Sequence, residues 1–175
     1  DIPFFKIPSG ELTNGPLLCQ FAKTGKPLVV STGMATFSEV ELALAIIAHG
    51  ITAKSEPDGL EAVWRNWSDP AARTPLYGLV SLLHCTSQYP TPMAEVNLRA
   101  MDTLRETFGL PVGYSDHTKG DLVAISAAAR GAKIIEKHLT TDSTLTGPDH
   151  ATSLEPEELK TMIRKIRSVQ EALGD

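Results

Sequence analysis

The chain has 175 residues, 42% hydrophobic and 21% charged, enough for one domain with a core of its own. Its net charge of −5 gives no electrostatic support for nucleic-acid or acidic-membrane partners, and no apolar run reaches the ~20 residues that span a bilayer. No secretory leader stands out, and Cys19 and Cys85 lie outside any CxxC cluster. They read as reduced, half-buried thiols of a cytosolic protein, with a Cys19–Cys85 disulfide as the open alternative.

The chain opens without an initiator methionine, almost directly on a predicted strand, Phe4–Pro8, and the expectation is that an upstream part is absent. Pro27–Ser31 is the second strand. Thr36-Phe37-Ser38-Glu39 is a capping box, and the helix behind it carries Val40, Leu42, Leu44, Ile46 and Ile47 and is predicted to stop at Gly50. Residues 51–78 then separate this helix from the next strand, far beyond the usual ~2–6 residues. Within this insertion Asp58–Trp67 is predicted as an extra helix bearing Trp64 and Trp67, either a local decoration or a subunit contact. Leu79–Cys85 is the third strand. Asn97 is predicted to cap a helix with Leu98, Met101, Leu104 and Phe108 on one stripe, ended by Gly109. Val112–Ser115 is the fourth strand, Asp121–Arg130 an Ala-rich helix suited to close packing on a sheet, and Lys133–His138 the fifth strand. The last helix starts at Pro156, with Leu159, Met162, Ile163, Ile166, Val169 and Leu173 as its buried stripe.

Strand–helix alternation with mostly short links implies an α/β fold with a parallel sheet and right-handed crossovers. An open doubly wound sheet and a closed barrel compete. No strand is followed by a Gly-rich dinucleotide or P-loop spacing, whereas polar residues gather at every strand end, which favours the barrel. Five units cannot close an eight-stranded barrel, so the chain reads as the C-terminal five β/α units of a (β/α)8 TIM barrel.

The strand ends carry the chemistry. Residues two apart on a strand share a face, so Ser115 and His117 point one way, as do Glu136 and His138. Two histidines on successive strand ends, with a carboxylate beside them, suit a divalent-metal site open on one side. Asp116 faces away from His117 and is expected to orient a neighbour or cap a helix. Glu136 is a candidate ligand, water-positioning group or acid/base, or else half of a buried salt bridge with a lysine such as Lys6. Lys6 in an apolar strand asks for a bound anion, a local acid or a route to solvent. Ser31-Thr32-Gly33, before the capped helix, offers either a phosphate seat or a plain turn. The stiff loop Ser87-Gln88-Tyr89-Pro90-Thr91-Pro92 presents Tyr89 either to a ligand or as packing. Asp149, in the long loop after the fifth strand, either reaches a substrate from above or is a turn aspartate.

Taken together, Phe5-Lys6-Ile7-Pro8-Ser9-Gly10-Glu11, Ser31-Thr32-Gly33-Met34, His84-Cys85-Thr86 with Tyr89-Pro90-Thr91-Pro92, Gly113-Tyr114-Ser115-Asp116-His117-Thr118, Glu136-Lys137-His138 and Gly147-Pro148-Asp149 resemble the sialic acid synthase family in order and spacing. The resemblance implies a transferase that forms a C–C bond between phosphoenolpyruvate and an N-acetylated amino sugar, N-acetylmannosamine or a relative, releasing phosphate. It implies that Lys6, Ser31 and the Ser87 region hold the phosphate and carboxylate, with Ser9 and Ser115 also among the substrate-binding residues. Glu11, Tyr89 and Asp149 would meet the sugar, and Glu136 would sit by the reacting atoms. His117 and His138 would bind a divalent metal, manganese typically, magnesium or cobalt otherwise, acting as a Lewis acid on the sugar aldehyde. It further implies a cytoplasmic protein, a homodimer at full length, without nucleic-acid or membrane partners.

Four features depart from the family pattern. Some members have Asn at the position of Ser87. Nothing here matches the Glu and Lys that the family's first three strands supply, and its C-terminal antifreeze-like domain has no counterpart. The 51–78 segment exceeds that of compact members. A fragment of this extent is expected to be inactive alone. A metal- or anion-binding half-barrel without turnover, and another phosphoenolpyruvate–aldose condensing synthase, are the alternatives.

Overall fold

Five short apolar runs become strands: β1 (Phe5–Ile7), β2 (Leu28–Ser31), β3 (Val80–His84), β4 (Val112–Asp116) and β5 (Ile135–Lys137). They join one sheet in the order β1-β2-β3-β4-β5, with β1–β2 and β4–β5 paired in parallel. The computed structural model describes residues 2–174. Asp1 and Asp175, the ends of the expected 1–175 domain, lie outside the described residues. Helices α1 (Gly15–Lys23), α2 (Phe37–Ala53), α3 (Gly59–Trp67), α4 (Pro70–Arg73), α5 (Leu76–Leu79), α6 (Ala100–Phe108), α7 (Leu122–Ala129) and α8 (Pro156–Leu173) fill the gaps, giving the expected α/β alternation. Two compact units divide the chain. One runs to Leu82 and takes in Gly109–Pro111; the other holds Leu83–Phe108 and the chain from Val112 onward.

In the first unit, Ile7, Leu28 and Val30 from the strands and Leu18, Leu44 and Ile47 from α1 and α2 are buried. The Thr36–Glu39 capping box forms as predicted. The helix does not stop at Gly50 but continues to Ala53, with Lys54 in the left-handed region (φ 54°) as its cap. Gly50 serves packing instead. A Cβ there would lie 2.7 Å from Ala22 Cβ and 2.9 Å from the Cys19 carbonyl oxygen, so the missing side chain lets α1 approach α2. The 51–78 segment is largely helical. Val63 is buried, Trp67 Nε1 donates to Glu41 Oε1 at 3.1 Å, and the Arg73 guanidinium sits 5.4 Å from the Trp67 ring. These contacts fit the local-decoration reading, while Trp64 is 40% exposed.

In the second unit, Gly113 lets β4 crowd its neighbours. A Cβ would come 2.4 Å from the Ile134 carbonyl and 2.6 Å from Leu83 Cδ2. Asn97 does not cap α6 as predicted. Its φ of 44° departs from the extended geometry of a cap residue, and α6 starts at Ala100, whose amide donates to the Asn97 carbonyl at 2.9 Å. Gly109, with φ 66°, follows the end of α6 as expected. The stripe predicted on α8 is only partly covered. Met162 is buried, and Leu159 and Ile166 pack on a cluster with Ala124 and Leu154, but Ile163 and Leu173 are exposed. Amphipathic spacing marks an apolar face without supplying what covers it. Cys19 and Cys85 are both buried, and neither is in a disulfide among the described residues, in line with the reduced-thiol reading.

Candidate active site

The β4–β5 register aligns Ser115 with Glu136 and Asp116 with Lys137. Ser115 Oγ donates to Glu136 Oε1 at 2.6 Å and lies 3.3 Å from His117 Nε2. The alternation inferred from sequence therefore holds. Ser115, His117 and Glu136 share one face, while Asp116 turns to the other, where its side chain is fully buried against Lys137. There it forms an Asx-type turn with Thr118 and does not cap α7.

His117 and His138 meet edge to face, ring centroids 5.4 Å apart and planes at 83°. Tyr89 joins them. Its ring stacks on His117 at 4.1 Å and stands 5.6 Å from His138. The loop that delivers Tyr89 has a cis Tyr89–Pro90 bond and is tied back through the Thr91 amide to the His117 carbonyl at 2.9 Å. His117 Nδ1 is 2.7 Å from the Thr86 carbonyl oxygen. A carbonyl only accepts, so Nδ1 carries the proton and Nε2 presents its lone pair. Tyr89 Oη lies 3.1 Å from that nitrogen and donates to it. Burial, reinforced by His138, keeps the His117 pKa below the usual imidazole value despite the Thr86 carbonyl, so the ring stays neutral. Burial, with the charges of Cys85, Asp149 and Glu136, pushes the Tyr89 hydroxyl up, so it keeps its proton. Asp149 approaches from the long loop, its Oδ1 3.9 Å from His138 Nδ1. Ser87 lies exposed on the loop two residues before Tyr89.

Lys6, Ser9, Glu11 and Ser31 belong to the first unit. Lys6 pairs in register with Val29, so Lys6 and Ser31, two residues beyond Val29, share a face at the carboxyl end of β1–β2. Lys6 Nζ donates to the Ile7 carbonyl at 3.2 Å. Ser31 is 3% exposed, yet its hydroxyl has no partner among the described residues. A buried hydroxyl in that state suits a bound anion. The start of α2 is a poorer seat than its sequence suggests. The Glu39 carboxylate already takes the Thr36 amide at 2.7 Å, and that bond holds its pKa below the usual range. Ser9 and Glu11 lie in a 3-10 turn after β1, where Asn14 Nδ2 donates to Glu11 Oε2 at 2.7 Å. Sequence reading passed over the Thr86 carbonyl and Lys137. The first is a backbone atom with no residue signature. The second was legible from register, as the residue between Glu136 and His138.

A profile of the NeuB family matches residues 1–175. The N,N'-diacetyllegionaminic acid synthase of Campylobacter jejuni is 43% identical over 174 residues, 99% of this chain and 45% of the relative. The human N-acetylneuraminate-9-phosphate synthase is 35% identical over 175 residues, 99% of this chain and 42% of the relative. The crystal structure of N-acetylneuraminic acid synthetase from Leptospira borgpetersenii, in complex with citrate, superposes with a TM-score of 0.80 at 34% identity, over 99% of this chain and 52% of that one. The chain thus spans somewhat under half the length of these two curated relatives.

Proposed function

The chain belongs to the NeuB family, and from that premise we propose that it is part of a synthase condensing phosphoenolpyruvate with an N-acetylated amino sugar to give a nonulosonic acid and phosphate. The observation that carries this reading is the pair of imidazoles at the ends of β4 and β5, one of them held with its Nε2 lone pair turned toward the Tyr89 hydroxyl, beside the Ser115–Glu136 hydrogen bond. The names of the relatives support the same reading.

The residues present fit a divalent cation. His117 is neutral, with its Nδ1 proton committed to a carbonyl, the arrangement that metal-binding histidines use. Among the described residues no group of three or more His, Cys, Asp or Glu forms a cage, so His117 and His138 would supply two donors and leave the remaining positions to water and substrate. When bound, the cation, manganese in the first instance, would polarise the sugar's carbonyl oxygen.

The side chains divide the rest of the work. Lys6 and the Ser31 hydroxyl, with Ser9 and Ser87, hold the phosphate and carboxylate of phosphoenolpyruvate. Glu11, Tyr89 and Asp149 meet the sugar. Ser115 fixes Glu136 by its hydrogen bond, and Glu136 takes the proton of the water that adds to the enol-derived carbon before phosphate leaves by C–O cleavage. We read the chain as the last five β/α units of an eight-unit barrel in a cytoplasmic homodimer. The first three units and an antifreeze-like domain lie outside it, and 51–78 is an insertion. In that reading the isolated segment is inactive. The test is phosphate release from phosphoenolpyruvate by the full-length protein, across a panel of amino sugars, with metal chelated or supplied. Release that requires both an N-acetylated sugar and a divalent cation is expected. Release without sugar, or none with any sugar, would overturn the reading.

A further inference from the structure

Behind the two histidines lies an ion pair that the proposed chemistry does not use. Asp116 and Lys137 face each other in the last rung of the β4–β5 ladder, and their side chains are 0% and 1% exposed. Asp116 Oδ2 accepts from Lys137 Nζ at 3.0 Å, while Oδ1 accepts from both the Thr118 amide (2.9 Å) and the Thr118 hydroxyl (2.8 Å). Lys137 Nζ also donates to the Thr118 carbonyl. The network thus grips the residue after His117 at three points: Asp116, just before His117, holds its amide and hydroxyl, and Lys137, just before His138, holds its carbonyl.

This placement matters because both histidines stand one residue beyond the ladder. β4 ends at Asp116 and β5 at Lys137, so the register stops just short of the two rings. Each ring-bearing backbone is tied instead to a loop: the Thr91 amide to the His117 carbonyl, the Leu154 amide to the His138 carbonyl, both at 2.9 Å. Neither tie links one histidine to the other. A buried ion pair is a weak source of net stability, because desolvation offsets attraction and a well-packed apolar pair often does as well. What an apolar pair lacks is direction.

We propose that Asp116 and Lys137 are positioning residues which, through Thr118, set the separation and mutual angle of the His117 and His138 rings. The proposal rests on the reading of those rings as ligands of one cation and deepens it. Neither Asp116 nor Lys137 touches the substrate.

The test uses the full-length protein, with Mn2+ alone as the probe. In the metal-free wild type a nuclear Overhauser contact is expected between the ring protons of His117 and His138. The double variant Asp116→Leu/Lys137→Met replaces the pair by apolar side chains of similar length. It is expected to melt close to wild type, to lose that contact, and to bind Mn2+ about 10–100-fold more weakly. Its kcat should fall while KM for phosphoenolpyruvate holds. A folded double variant with the wild-type ring contact and Mn2+ affinity would overturn the proposal. If the double variant does not fold, Thr118→Val carries the test, since it removes one hydroxyl bond and leaves the ion pair. Weaker Mn2+ binding at an unchanged melting temperature supports the proposal, and wild-type binding overturns it. If the ring contact behaves as expected but the wild type neither binds Mn2+ nor releases phosphate, the functional reading falls and the positioning role stands.

Discussion

The two faces of the β4–β5 strand ends both carry polar side chains and treat them in opposite ways. On one face burial gives way to solvent: Ser115 and His117 are buried, whereas the His138 side chain is 30% exposed and nearby Asp149 63%. Nε2 of His117 is an acceptor that meets the Tyr89 hydroxyl at 3.1 Å and Ser115 Oγ at 3.3 Å. On the other, Asp116 and Lys137 are sealed, and both carboxylate oxygens have partners. Further along that face the Tyr114 hydroxyl is the exception, buried without a partner among the described residues. The contrast separates two uses of polarity. Lone pairs left exposed at a strand end can bind something, whereas fully paired ones can only hold the chain in place.

Substitutions should sort by face. The largest effect expected is on the open side. His138→Ala in the full-length protein should lower metal-dependent condensation by more than about 100-fold while leaving the melting curve nearly unchanged. Near-wild-type activity with Mn2+ would remove His138 from the site. Next comes the sealed side. Asp116→Ala alone strands Lys137 as an unpaired buried cation and should cost about 3–5 kcal/mol in urea unfolding at neutral pH. A loss below about 1 kcal/mol would mean that water reaches Lys137, and the contrast between faces would fail. The smallest effect is a slope. Burial lowers the pKa of His84 from the ordinary 6.5, although its Nε2 proton is donated to the Val96 carbonyl at 2.8 Å. The unfolded chain therefore takes up a proton at this position before the folded one does. This contribution to stability is complete above about pH 6.5 and is lost as the pH falls from there through the lowered native value. His84→Gln should flatten the pH dependence of stability below 6.5 relative to wild type, and identical slopes would place His84 in contact with solvent.

Much of this was legible in the residues. Period-two alternation put Ser115 with His117 and Glu136 with His138, and set Asp116 apart, because side chains alternate along a strand and the ladder runs to the residue before each histidine. The capping box and the proline start of α8 were readable for the same reason: each is a short-range bond pattern with its own residue signature. What escaped depended on contacts far along the chain. Gly50 looks like a terminator until α1 is placed beside it. Asn97 looks like a cap until its backbone angle is known. The proton placement on His117 follows from a carbonyl 31 residues away, which no residue type announces.

The slot at Gly50 has a mechanical corollary. Only where a side chain is missing can α2 admit the backbone of Cys19, so α1 and α2 are keyed together at one height and neither can slide by a turn along the other. Each helix hangs from a polar corner: α1 from the 3-10 turn Ser9–Glu11, α2 from the Ser31–Gly33 corner. Locking the shafts couples the corners, so that two turns 22 residues apart in the chain, 9–11 and 31–33, are held by one helix–helix contact.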